Sequence, residues 1–120
     1  MRKTKSTNPE LVGLISFLKK QSREKDANIW LDVAEYLAKP SRRRIAVNLS
    51  RLNRYTQKNE MIVVPGKVLG AGTIEHPITV AAFDFSETAK NKLKAAKAKH
   101  LSIPELAKKN PAGTNIKIIR

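Results

Sequence analysis

The chain has 120 residues, enough for one domain with a single core, and 41% of them are hydrophobic. Lys and Arg number 24 against 10 Asp and Glu, a formal charge of +14, and cysteine is absent, which excludes a disulfide framework and a cysteine-based zinc site. Surplus like charge opposes compaction, and only a polyanionic partner turns that cost into affinity through counterion release, so nucleic acid is the first class of partner and an anionic membrane surface the second.

Residues 1–7 are polar and basic without periodicity and read as a flexible arm, leaving 8–120 as a single globular domain. Asn8 reads as an N-cap with Pro9 at the first helical position. Leu11, Leu14, Ile15 and Leu18 then recur at i, i+3, i+4, i+7, the spacing of one buried helical stripe, in a helix ending near Glu24. Trp30, Val33, Ala34 and Leu37 repeat that spacing in a second helix, with Asn28 as its cap and Lys39-Pro40 as its stop. The short polar link predicts a helical hairpin, with Trp30 in the core.

From Ser41 the pattern changes. Ile45–Val47 reads as a short strand, Leu49 to Tyr55 as a short helical turn, and Met61–Val64 as a strand ending in a turn at Pro65-Gly66. Ile78–Phe85 is a mostly apolar strand, buried on both faces. Ser86 caps a helix whose inward stripe is Ala89, Leu93 and Ala96, flanked by lysines left for phosphates. The mostly alanine stripe buries too little area to hold a bilayer. Leu101 starts another strand, and Ser102-Ile103-Pro104-Glu105 has capping-box spacing. Asn110-Pro111 closes that helix, and Ile116–Ile119 is a last strand. Alternating strands and helices predict an α/β fold, a helical hairpin followed by a layered core with a mixed sheet.

Charge is spread along the chain, with 14 basic and 6 acidic side chains in residues 1–60 and 10 and 4 in 61–120. No acidic residue lies between Tyr36 and Asn59, a stretch holding Lys39, Arg42, Arg43, Arg44, Arg51, Arg54 and Lys58. A charge run is ordinarily a solvated face, but the overall surplus favours RNA contact here. The planar guanidinium fork suits phosphate and stacks on bases. Asn48 and Asn53 offer base-edge or ribose contacts, and Tyr55 offers a stacking face. Lys67, beside Gly66, would add charge where the backbone approaches a phosphate. The candidate RNA-binding residues are therefore Lys3, Lys5, Lys19, Lys20, Arg42, Arg43, Arg44, Asn48, Arg51, Arg54, Tyr55 and Lys67.

Residues for catalysis are sparse. Gly66, Gly70 and Gly72 fit neither a P-loop nor a dinucleotide fingerprint. Glu75, His76 and Asp84 show no sign of converging, and His76 before Pro77 reads as an exposed turn residue. His100 reads as lying near a helix end. The expectation is no enzyme, no cofactor, no metal, no small-molecule substrate and no membrane.

The segments NPELVGLISFLKK (8–20), IWLDVAEYLAKP (29–40), VNLSRLNRYT (47–56), VVPGKVLGAG (63–72), ITVAAFDFSETAK (78–90) and NPAGTNIKIIR (110–120) resemble the large-subunit ribosomal protein family L-eighteen-e. That family is related to bacterial ribosomal protein L-fifteen. The likeness runs from about residue 7 to the end, and the size resembles archaeal rather than eukaryotic members. It implies an irregular β-β-α arrangement, binding to large-subunit ribosomal RNA beside neighbouring ribosomal proteins, a cytoplasmic location and no enzymatic activity. The alternative from composition alone is a free-standing nucleic-acid binder or RNA chaperone, or less favourably a small basic enzyme. One departure from the family is the helix end at Lys97-Ala98-Lys99-His100, where glycine is the usual residue.

Overall fold

A computed structural model describes residues 9–39 and 45–120. Helix α1 spans Pro9–Lys25 and α2 spans Asn28–Leu37. Strand β1 (Ile45–Asn48) leads directly into α3 (Leu49–Tyr55). Strands β2 (Met61–Leu69) and β3 (Thr79–Phe85) follow, then α4 (Glu87–Ala95), β4 (Lys99–Ser102), α5 (Ile103–Lys109) and β5 (Ile116–Ile118). The α/β class and the N-terminal hairpin are as the periodicity predicted. No described helix is long and apolar enough to cross a membrane.

The strands run in the order β1-β2-β3-β4, with β5 also on β2. Every pairing among the described residues is parallel, so the expected mixed sheet is not what forms. A parallel sheet needs both faces covered, and two apolar clusters provide this. α1, α2 and α5 pack against one face, where Val63 and Ala81 point. α3 and α4 pack against the other, with Ile62, Val64, Val80 and Ala82. The period of two along β2 and β3 thus feeds both clusters, which is why these strands read as continuous apolar runs. Leu11, Leu18, Trp30 and Leu37 are fully buried, and such a side chain contributes about 1.5–3 kcal/mol relative to exposure.

Strand β2 does not stop at Pro65-Gly66, as its turn chemistry suggested. It continues to Leu69, and its register against β3 slips between Val64 and Lys67. On its other edge β5 pairs with Met61–Val63 and β1 with Gly66–Leu69. Pro65, which has no N–H to give, therefore sits where the partner strand changes. Gly66 is required by packing: a Cβ there would lie 2.0 Å from the carbonyl oxygen of Ile45. The expected close approach at this glycine is to backbone of β1 and not to a phosphate.

Residues 70–78 return the chain from β2 to β3 without a helix, anchored by Ile74 and Ile78 in the second cluster. Gly72 has φ +86, and a Cβ on it would meet Ser50 at the start of α3. Lys92 of α4 clamps this loop, its ammonium donating to the carbonyls of Gly70 and Gly72 at 2.8 Å each.

Helix ends account for the remaining differences. Asn28 is the first residue of α2; the cap position is Ala27, without a side-chain bond. Asn8 and Pro40 lie outside the described residues. The capping box at Ser102 and Glu105 is complete, and Ser86 caps α4 by accepting from Ala89 N–H. Lys97 takes the left-handed conformation usually given to glycine, with φ +61. Ala98 N–H then bonds Leu93 carbonyl and Lys97 N–H bonds Lys94 carbonyl, the paired bonds of a Schellman end. His100 consequently lies in β4, edge-on to Phe85 at 5.4 Å.

Candidate nucleic-acid interface

Helix α3 is short and carries no acidic residue in its first turn. Leu49 and Leu52 anchor it in the second cluster, which turns Arg51, Arg54 and Tyr55 outward. Its second N–H, on Ser50, bonds the Ala71 carbonyl. That bond replaces side-chain capping, and Asn48 at the cap position makes none and is exposed. At the far end Thr56 Oγ1 donates to Leu52 carbonyl at 2.6 Å. With that hydrogen committed, the oxygen accepts from His76 Nε2 at 2.8 Å. His76 is half-buried, not the exposed turn residue expected.

Arg51 and Tyr55, one turn apart, stack: the guanidinium carbon lies 5.0 Å from the ring centre. Arg51 Nε also donates to the Arg120 carbonyl at 3.1 Å. Arg120 in turn lies 5.0 Å over the ring of Tyr36 and donates to its hydroxyl. Lys39 approaches the same ring at 4.7 Å. Lys117 Nζ bonds the Tyr55 carbonyl at 3.1 Å and pairs with Glu60 at 3.2 Å. The Gln57 N–H holds the Glu60 carboxyl below its usual range, and Lys117 adds to this. One continuous surface thus joins the end of α2, the outer face of α3 and β5.

The twelve candidate residues fall into four sets. Arg51, Arg54 and Tyr55 come together on α3, with Asn48 at its cap position. Lys19 and Lys20 lie on α1, which packs on the other face of the sheet; Lys20 is 3.8 Å from Glu24. Lys67 is on β2, 3.8 Å from Asp84. Lys3, Lys5, Arg42, Arg43 and Arg44 lie outside the described residues. Two expectations change. Asn53 Oδ1 accepts from Glu75 N–H at 3.0 Å, so that oxygen ties the loop and does not face outward for a base. Lys92 holds two carbonyls and is not a free lysine of α4.

Sequence reasoning missed Tyr36, Lys117 and Arg120. Tyr36 is 84 residues from Arg120, and Lys117 is 62 from Tyr55. Lys117 and Arg120 signalled only positive charge in and just after the final strand, and Tyr36 only an aromatic near the end of α2, and neither signal says which helix lies beside it. Among the described residues no group of three or more His, Asp or Glu could hold a metal ion.

The family model described as ribosomal protein 60S L18 and 50S L18e matches residues 1–120. Large ribosomal subunit protein eL18 of Methanoregula boonei is 46% identical, over 99% of this chain and 98% of the relative. The protein of the same name from Methanococcus maripaludis is 47% identical, over 99% of both. That from Archaeoglobus fulgidus is 44% identical, over 96% of this chain and 98% of the relative.

Proposed function

This chain belongs to the family of ribosomal protein 60S L18 and 50S L18e, and on that premise we propose that the surface of α3, β5 and the end of α2 is its principal contact with large-subunit ribosomal RNA. As a large-subunit protein it is a structural constituent of the ribosome, in the cytoplasm, among ribosomal RNA and other ribosomal proteins, and it supports translation. The proposed role is that of a scaffold with no catalytic step of its own.

The observation that carries the assignment is the stacking of Arg51 on Tyr55 beside Arg120 and Lys117. Guanidinium groups held by rings and carbonyls are already ordered, so less rotamer entropy is lost when they meet phosphate. Arg42, Arg43 and Arg44 follow Lys39 in sequence and would add three cations for phosphate to the same basic stretch. Lys3 and Lys5 would add two further cations for phosphate. Lys19, Lys20 and Lys67 supply weaker, peripheral contacts, because they lie on α1 and β2, away from the α3 surface.

Binding to purified large-subunit ribosomal RNA across a salt series tests this reading. Arg51→Ala with Arg54→Ala should lower the salt slope by about 1.4 to 1.8, and the triple change at Arg42, Arg43 and Arg44 by about two to three. Random-sequence RNA should not displace the wild type. An unchanged slope for the α3 pair would remove this surface from the interface; equal competition by random RNA would favour a general binder.

A further inference from the structure

A cleft of about 280 Å³ opens between α3 and β5, lined by Arg51, Tyr55, Lys117, Ile118, Ile119 and Arg120. Three cations, one aromatic ring and two aliphatic side chains surround it, and no acid lines it among the described residues. Tyr55 is 49% exposed, more than any other large hydrophobic side chain among the described residues. Its backbone is fixed by Lys117, and its ring is backed by Arg51. Tyr36 is half-buried and already engaged by two cations, so Tyr55 is the ring with surface to offer.

A cation alone would recognise any phosphate along a duplex. An open ring in a cationic cleft is different, because paired bases in an A-form helix hide their faces in the stack. Only an unpaired base can lay its face on a tyrosine. We propose that this cleft takes a single unstacked nucleotide of RNA, its base against Tyr55 and its phosphates toward Lys117 and Arg120. The inference rests on the interface reading above and deepens it from charge recognition to recognition of a bulged or looped nucleotide.

Two RNA hairpins test it, one with a single bulged purine and one with the same stem fully paired. The wild type should prefer the bulged hairpin. Base–aromatic stacking is worth about 1–3 kcal/mol, so Tyr55→Ala should weaken binding to the bulged hairpin by about five- to 150-fold. The paired hairpin should lose only the smaller share of affinity that comes from the ring's ordering of Arg51, so the preference for the bulged hairpin should disappear while the salt slope stays the same. Tyr55→Phe should keep the preference. If alanine disturbs folding, Tyr55→Leu, which keeps bulk without a π face, carries the same expectation. A preference that survives Tyr55→Ala and Tyr55→Leu overturns the proposal. So does a wild type that binds both hairpins equally. If that equality coexists with a lowered salt slope for the Arg51 and Arg54 variant, the interface reading stands and the stacking inference alone falls.

Discussion

The indole N–H of Trp30 donates to the carbonyl oxygen of Pro111 at 2.8 Å, joining positions 81 residues apart. The ring itself is fully buried between the helices and the sheet. This bond seats the segment after α5, which continues into β5 and so into Lys117 and Arg120. Trp30→Phe keeps an aromatic in the core but removes the donor and leaves a partly buried carbonyl unpaired. It should cost about 1–3 kcal/mol, read from the urea midpoint. Affinity for ribosomal RNA should fall too, although Trp30 itself is buried.

Gly66→Ala should be the more damaging small change. The new methyl would stand against the Ile45 carbonyl, backbone that cannot rotate away. Such overpacking costs about 1–3 kcal/mol and sometimes more. Unfolding midpoints should drop accordingly, and amide exchange in β1 should rise first, because β1 is held to the sheet by β2 alone.

Lys97→Gly should be stabilising. An L-residue in the left-handed region costs about 1–2 kcal/mol, against which glycine loses more entropy on folding. The net gain expected is about 0.5–1 kcal/mol, visible as a melting temperature raised by a few degrees. Lys97→Ala should give no such gain, since it keeps the Cβ that causes the strain. An equal rise in both variants would point to relief of charge repulsion instead.

The capping box at α5 sets a pH dependence. The Ser102 backbone N–H holds the Glu105 carboxyl below its usual range, with further help from the Ser102 side chain. The folded state then binds fewer protons than the unfolded chain between the two titration points. The associated stability is full above about pH 4.3, the unperturbed value. It is lost as pH falls through the lower folded value. Glu105→Gln can still accept the N–H bond but cannot titrate, so acid unfolding curves of the variant should be flatter in that window. Identical curves would mean that other carboxylates govern acid stability.

Local signals carried much of this fold. The i, i+3, i+4, i+7 stripes marked α1 and α2, and every stripe residue is buried. The Ser86 cap and the Ser102–Glu105 box are interactions over three residues, so they could be found without a tertiary structure. The errors arose where a distant partner overrides local chemistry. Pro65-Gly66 reads as a turn until β5 and β1 are seen to divide the edge of β2. Lys97 falls in the stretch where the family resemblance puts the helix end, but with no glycine there no local rule picks it as the left-handed residue.

By itself the sequence determined the charge, the apolar periods, the class of partner and the family resemblance, because each depends on residue type and near-neighbour spacing. It also placed Arg51, Arg54 and Tyr55 on one short helix, since i, i+3 and i+4 share a face. Only the tertiary structure decided what stands opposite that face. Parallel pairing of β5 with β2 brings Lys117 to Tyr55 and Arg120 to Arg51 and Tyr36. The same pairing pattern leaves Lys19 and Lys20 on the other side of the sheet. Charge adds along a chain without regard to order, but a binding surface depends on which charges the sheet makes neighbours.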